Sequence, residues 1–223
     1  MAFSEKSVGF LFENHSRNSK IWFNEHKDTY QQEVVAPFAE LVTKLTPVME
    51  DIDSEIICTP KKISRIYRDA RFSKGKSIFR EGLWVSIQRK KEPFVCIPEF
   101  YFHFSPNEFG WGCGYYHAST QSMEAIRKLI LAGDKVAEDA IKAFNKQKKF
   151  YMWGDLYKKN HYPEQSDELC SWLNRKTICL SYDGKDASEL FSENLADIIA
   201  KDFKSIAPVY KLFIKAESIK NVK

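Results

Sequence analysis

Long apolar runs are missing from these 223 residues. No stretch approaches the roughly 20 consecutive apolar residues that cross a bilayer. The early run Val8 to Phe12, beside Glu5 and Lys6, is too short for the core of a signal peptide. Paired cysteines are missing as well. Cys58, Cys96, Cys113, Cys170 and Cys179 are odd in number and scattered, with no CxxC, which excludes a disulfide framework and a zinc knuckle. No GxSxG, HExxH or HxH occurs, so the sequence advertises no nucleophile and no metal, and no motif implies a cofactor. These absences predict a soluble protein of the reducing cytoplasm, without a membrane partner.

What is present suits a globular domain. Apolar residues make up 43% and aromatics 14% of the chain, enough to fill a core and well above the disordered regime. A chain of this length without a visible linker reads as a single domain over residues 1–223.

Charge is where the sequence is uneven. Between Lys61 and Arg80 eight cations share twenty residues with one carboxylate, Asp69. Extended to Lys91, the stretch holds eleven cations against Asp69 and Glu81, a net of +9. The whole chain carries +4, so the remainder is at −5. Like charges are crowded this way where they are solvated, paired or occupied by an anion.

The periodicity changes along the chain. Trp22, Phe23, His26 and Tyr30 form one helical face after the capping segment 16–19, and Phe38, Leu41, Val42 and Leu45 form a second after Pro37. An edge strand is predicted from Ile63 to Arg68, and a half-buried one where Leu83, Val85 and Ile87 alternate with Trp84 and Ser86, followed by a charged turn at 88–92. Glu99 to His117 reads as an aromatic hairpin around Ser105, Pro106, Asn107 and Gly110. Phe100, Phe102 and Phe104 share one of its faces, and Gly110, Gly112 and Gly114 leave another bare. Helices follow from Ser119 and from Asp134, then irregular chain over 150–163, a short helix at 167–173, a strand at 177–182, and closing helices from Phe191 to Ile214 broken at Pro208. The pattern predicts an α+β fold: an antiparallel sheet with flanking helices and helical segments at both termini.

Arg65, Arg68 and Arg71, with Lys74 and Lys76, are the candidate ligands of a phosphate or carboxylate, because guanidinium presents a planar fork to such oxygens and lysine adds point charge. Tyr67 lies among them, and Gly112 and Gly114 border the proposed site. The alternative is an internal ion-pair network in which Asp69 and other acids neutralise the arginines. A phosphorylated small molecule is the leading partner. Two competing classes are a scaffold domain docking an acidic protein and a nucleic-acid binder with Tyr67, Phe72 and Phe79 as stacking surfaces. For any proton transfer the candidates are His103 and Asp69. His103 and His117 equally suit structural hydrogen bonds, and the glycines equally suit close backbone packing.

At RIYRDARFSKGK the chain resembles an uncharacterised, mainly bacterial family catalogued as domain of unknown function 2461. NSKIWF near the N-terminus, FYFHFSP with the following GYY, and ADIIAKDFKSIAPVYKLF near the C-terminus are similar to the corresponding family segments, so the resemblance spans nearly the whole chain. The sequence departs from the family pattern at Gly75, where an acidic or amide residue is usual, at SIF, which replaces threonine-proline-aromatic, and over 90–97, which is longer. The resemblance implies one intact α+β domain and supplies no reaction.

Overall fold

The computed structural model describes residues 2–69, 77–92 and 95–220. Helix α1 (Glu5–Arg17) begins where the Ser4 N–H donates to Ser7 Oγ at 3.0 Å and ends at Asn18 in the left-handed conformation. Helices α2 (Lys20–Glu25) and α3 (Lys27–Tyr30) follow, and Ser19 Oγ caps α2 by accepting from the Trp22 N–H. A π-helical turn (Gln31–Val35) leads into α4 (Ala36–Ile52). The wide turn precedes Pro37, whose ring and missing N–H disrupt the ordinary i→i−4 ladder.

Strand β1 (Ile56–Ile57) and a 3₁₀ turn (Pro60–Lys62) precede β2 (Leu83–Arg89), β3 (Glu99–Phe104) and β4 (Phe109–Gly114). Then come α5 (Thr120–Leu131), α6 (Lys135–Lys146), β5 (Tyr151–Trp153), α7 (Asp167–Leu173), β6 (Cys179–Gly184), α8 (Ala187–Leu190) and α9 (Leu195–Ile219). The strands order as β1-β2-β3-β4-β6-β5 in one antiparallel sheet with flanking helices, an α+β fold.

The chain divides into two compact units. The first comprises Met1–Ile87, Tyr101–Trp111 and Asp183–Ala200. Its core is aromatic. Phe3 lies 4.5 Å from Phe104, 5.8 Å from Phe38 and 5.9 Å from Phe102 between ring centroids, and each such buried phenyl contributes about 1.5–3 kcal/mol by leaving water. Leu83, Val85, Ile87, Phe102 and Phe104 are buried, while Trp84, Ser86, Tyr101 and His103 occupy the opposite face of β2 and β3.

The second unit comprises Gln88–Phe100, Gly112–Tyr182 and Lys201–Lys223. Phe100 packs on Phe203 and Tyr210, with centroids 4.8 and 4.9 Å away. Tyr115 donates to Glu217 Oε1 at 2.9 Å, Ser122 donates to the same oxygen, and Lys220 pairs with Oε2. A half-buried carboxylate with three partners fixes the end of α9.

Several sequence expectations are corrected. Pro208 does not break the last helix: α9 runs through it, because Phe203, Ile206, Val209, Tyr210, Leu212 and Phe213 are all buried and their packing outweighs one lost hydrogen bond. Strand β2 continues through Arg89, with Gln88 buried, where a charged turn was expected. Among the described residues the span from Ile63 to Arg68 pairs at isolated bridges, Ile63 with Val85 and Tyr67 with Phe79, and not as a continuous strand. Strand β5 lies within the stretch read as irregular.

Candidate functional site

The basic stretch is held in place by two backbone pairings in the first unit. The Arg80 N–H donates to Ile66 O at 2.8 Å and the Arg68 N–H donates to Ile78 O at 2.9 Å, around the Tyr67–Phe79 bridge. Ile66 and Phe79 are buried beneath this ladder, and Phe79 packs on Phe23 and Tyr67 at 5.1 and 4.9 Å. The apolar residues of the segment therefore anchor it to the core, and its arginines have nowhere to go but outward and sideways.

Three guanidinium groups lie close enough to act on one another as a result, Arg68 and Arg65 both on Arg80. Arg68 Nε donates to Phe79 O at 3.1 Å, which fixes its orientation. Arg80 lies over the Trp84 ring with its Cζ 4.5 Å from the centroid, a cation–π contact. Burial holds the Arg80 guanidinium below its ordinary pKa, and the charges of Arg68 and then Arg65 push in the same direction while Asp69 opposes them. Arginine stays protonated regardless, so the arrangement is a standing concentration of positive charge. Arg80 Nε is buried and has no acceptor among the described residues. None of the ion pairs among the described residues engages Arg65, Arg68 or Arg80.

The other sequence candidates distribute as follows. Arg71, Lys74 and Lys76 lie outside the described residues. Tyr67 is 38% exposed beside the cluster. Asp69 has a partner of its own and acts on Arg80 as a counter-charge. His103 belongs to the same unit, on the open face of β3, stacked against Tyr101 at 6.0 Å. Burial lowers its pKa, with Glu108 and Asp183 pulling the other way. Gly112 and Gly114 fall in the second unit. A Cβ on Gly114 would meet Cys179 Cα at 2.4 Å and Ile178 O at 2.5 Å, so its bareness is used for the approach of β4 to β6.

Sequence reasoning counted Arg80 as charge and Trp84 as part of a strand, and missed both as site residues. The signal available was the repeat of one apolar–aromatic–arginine pattern, Ile66-Tyr67-Arg68 and Ile78-Phe79-Arg80, which pairs to bring its two ends together.

A cavity of about 460 Å³ elsewhere in the first unit is lined by Phe3, Leu41, Lys44, Glu40, Glu193 and Asp197 among others. With three carboxylates against one lysine it repels anions. Among the described residues no three His, Cys, Asp or Glu converge as metal ligands, and no helix is long and apolar enough to cross a membrane.

A family model described as conserved hypothetical protein (DUF2461) matches residues 6–212. The chain belongs to the DUF2461 family. That span takes in most of both units and every strand among the described residues. No curated protein matches the sequence. The most distinctive charged feature of this DUF2461 protein is its arginine cluster.

Proposed function

We propose that this DUF2461 protein binds a phosphorylated or otherwise anionic ligand through Arg65, Arg68 and Arg80. The observation that carries the reading is three arginines close enough to act on one another and, among the described residues, without an ion-pair partner, one of them with a buried Nε that no described residue accepts from. An internal network would neutralise these groups, and a solvated face would leave Arg80 Nε exposed to water. Two of the three are preoriented, Arg68 by Phe79 O and Arg80 by Trp84, which reduces the entropy lost on binding. Arg71, Lys74 and Lys76 add charge within the same stretch of sequence. The five cysteines are all free thiols, which fits a reducing, cytoplasmic setting.

Isothermal titration calorimetry with inorganic phosphate and pyrophosphate tests the proposal on wild type, Arg68→Ala and Arg80→Ala. Binding to wild type is expected to weaken at least ten-fold in each variant. Equal affinities in all three reject it. Parallel titrations with an oligonucleotide and with polyglutamate separate the competing classes, since a nucleic-acid or acidic-protein surface binds the polymer far more tightly and loses that binding steeply with salt.

A further inference from the structure

Beyond Trp84 the open face of the sheet in the first unit changes sign. The Ser105 N–H donates to Glu108 O at 2.7 Å, which sets the β3–β4 hairpin so that His103 faces Gly110. A Cβ on Gly184 would strike the Phe109 ring at 2.0 Å, so these two are opposed and Asp183 comes level with Gly110. On the other side Gly82 abuts Phe104 O and Ser105, and Asn107 Nδ2 donates to Glu81 Oε1 at 2.9 Å, which brings Trp84 level with His103. Trp84, His103, Gly110 and Asp183 thus form a row across four adjacent strands. Neighbouring strands are about 4.8 Å apart, so the row spans roughly 14 Å. Gly110 is buried.

The charge along this row is ordered. Arg65, Arg68 and Arg80 stand at the Trp84 end, and Glu108 and Asp183 act on His103 from the other. A second anionic group of a ligand would be repelled there, whereas hydroxyl groups find carboxylate and imidazole acceptors. Between the two ends Trp84, 38% exposed, offers an apolar ring to the non-polar face of a sugar. We infer that the ligand is a phosphorylated sugar, its phosphate on Arg65, Arg68 and Arg80 and its hydroxylated ring over Trp84 towards His103 and Asp183. This rests on the anion-binding reading and goes beyond it by fixing what the phosphate is attached to.

The test is the ratio of two affinities measured by calorimetry, ribose 5-phosphate over inorganic phosphate. In wild type the sugar phosphate is expected to bind at least ten-fold more tightly, and Trp84→Ala and His103→Gln are each expected to bring the ratio towards one. Trp84→Phe, which keeps a ring, controls for misfolding and retains most of the preference. If phosphate binds but ribose 5-phosphate binds no better, or if the ratio survives both His103→Gln and Trp84→Ala, the sugar inference is overturned while anion binding stands. Tighter binding of O-phosphoethanolamine than of ribose 5-phosphate overturns it too, since a cationic tail would then be what the acidic end selects. Failure of wild type to bind phosphate at all sinks both readings.

Discussion

Asn18 holds Ile78. Its Oδ1 accepts from the Ile78 N–H at 2.7 Å and from the Ser77 hydroxyl at 2.9 Å, while its own backbone, at φ 48°, ψ 38°, ends α1. One residue thus stops a helix and moors the outer side of the arginine ladder sixty residues later. Asn18→Gly keeps the left-handed backbone and loses only the mooring, at about 1–2 kcal/mol. Asn18→Ala adds roughly 1 kcal/mol of backbone cost. Chemical denaturation should rank the three proteins in that order, and phosphate affinity should fall in both variants. Unchanged affinity in Asn18→Gly would show that the mooring does not position the arginines.

Gly114 and Gly133 separate steric cost from conformational cost. A methyl group on Gly114 would collide with backbone atoms of Ile178 and Cys179, which have no rotamer by which to yield, so Gly114→Ala is expected to cost about 3 kcal/mol or more. Gly133, at φ 62° with open space around it, is expected to cost only about 1 kcal/mol. Similar melting temperatures for the two alanine variants would refute the distinction.

Asn14 is fully buried on α1, and neither polar atom of its side-chain amide has a partner among the described residues. Burying an unsatisfied amide costs about 1–3 kcal/mol, and replacing it with an apolar residue of similar size removes that cost. Asn14→Leu is therefore expected to raise the melting temperature by roughly 2–4 °C, the shift that about 1 kcal/mol produces in a chain of this size. A lower melting temperature would mean that the amide has a polar partner outside the described residues.

His103 gives stability a pH dependence whose sign is set by burial. Its folded pKa lies below the unfolded one of about 6.5, against the pull of Glu108 and Asp183, so over that interval the unfolded chain binds more protons and stability rises with pH. The contribution is complete above about pH 6.5 and is lost as pH falls towards the folded pKa. Melting temperatures between pH 5 and 8 should slope less in His103→Gln than in wild type. A slope equal to that of wild type would show that the imidazole is not what titrates.

Much of the local structure was open to reading because it depends on neighbours in sequence. Alternation across Phe100, Phe102 and Phe104 gave the buried face of β3, and Ser19, Ser119 and Asp134 each cap the helix expected to follow them. Helix α1 escaped notice because Phe12, 60% exposed, interrupts its apolar stripe. The ends of β2 and α9 were misplaced because local rules count a charged residue or a proline against an element, whereas burial on the sheet or in the core keeps it intact.

By itself the sequence determined the α+β class, the crowding of cations between residues 61 and 80, and the family, since composition, period and motif need no third dimension. Only the tertiary structure decided which cations meet. Arg65 and Arg68 are joined by Arg80 because Ile66 pairs with Arg80 and Ile78 with Arg68, a choice enforced by burying Ile66 and Phe79 together. Electrostatic crowding depends on distance in space, and distance in space is set by hydrophobic contacts made far apart along the chain.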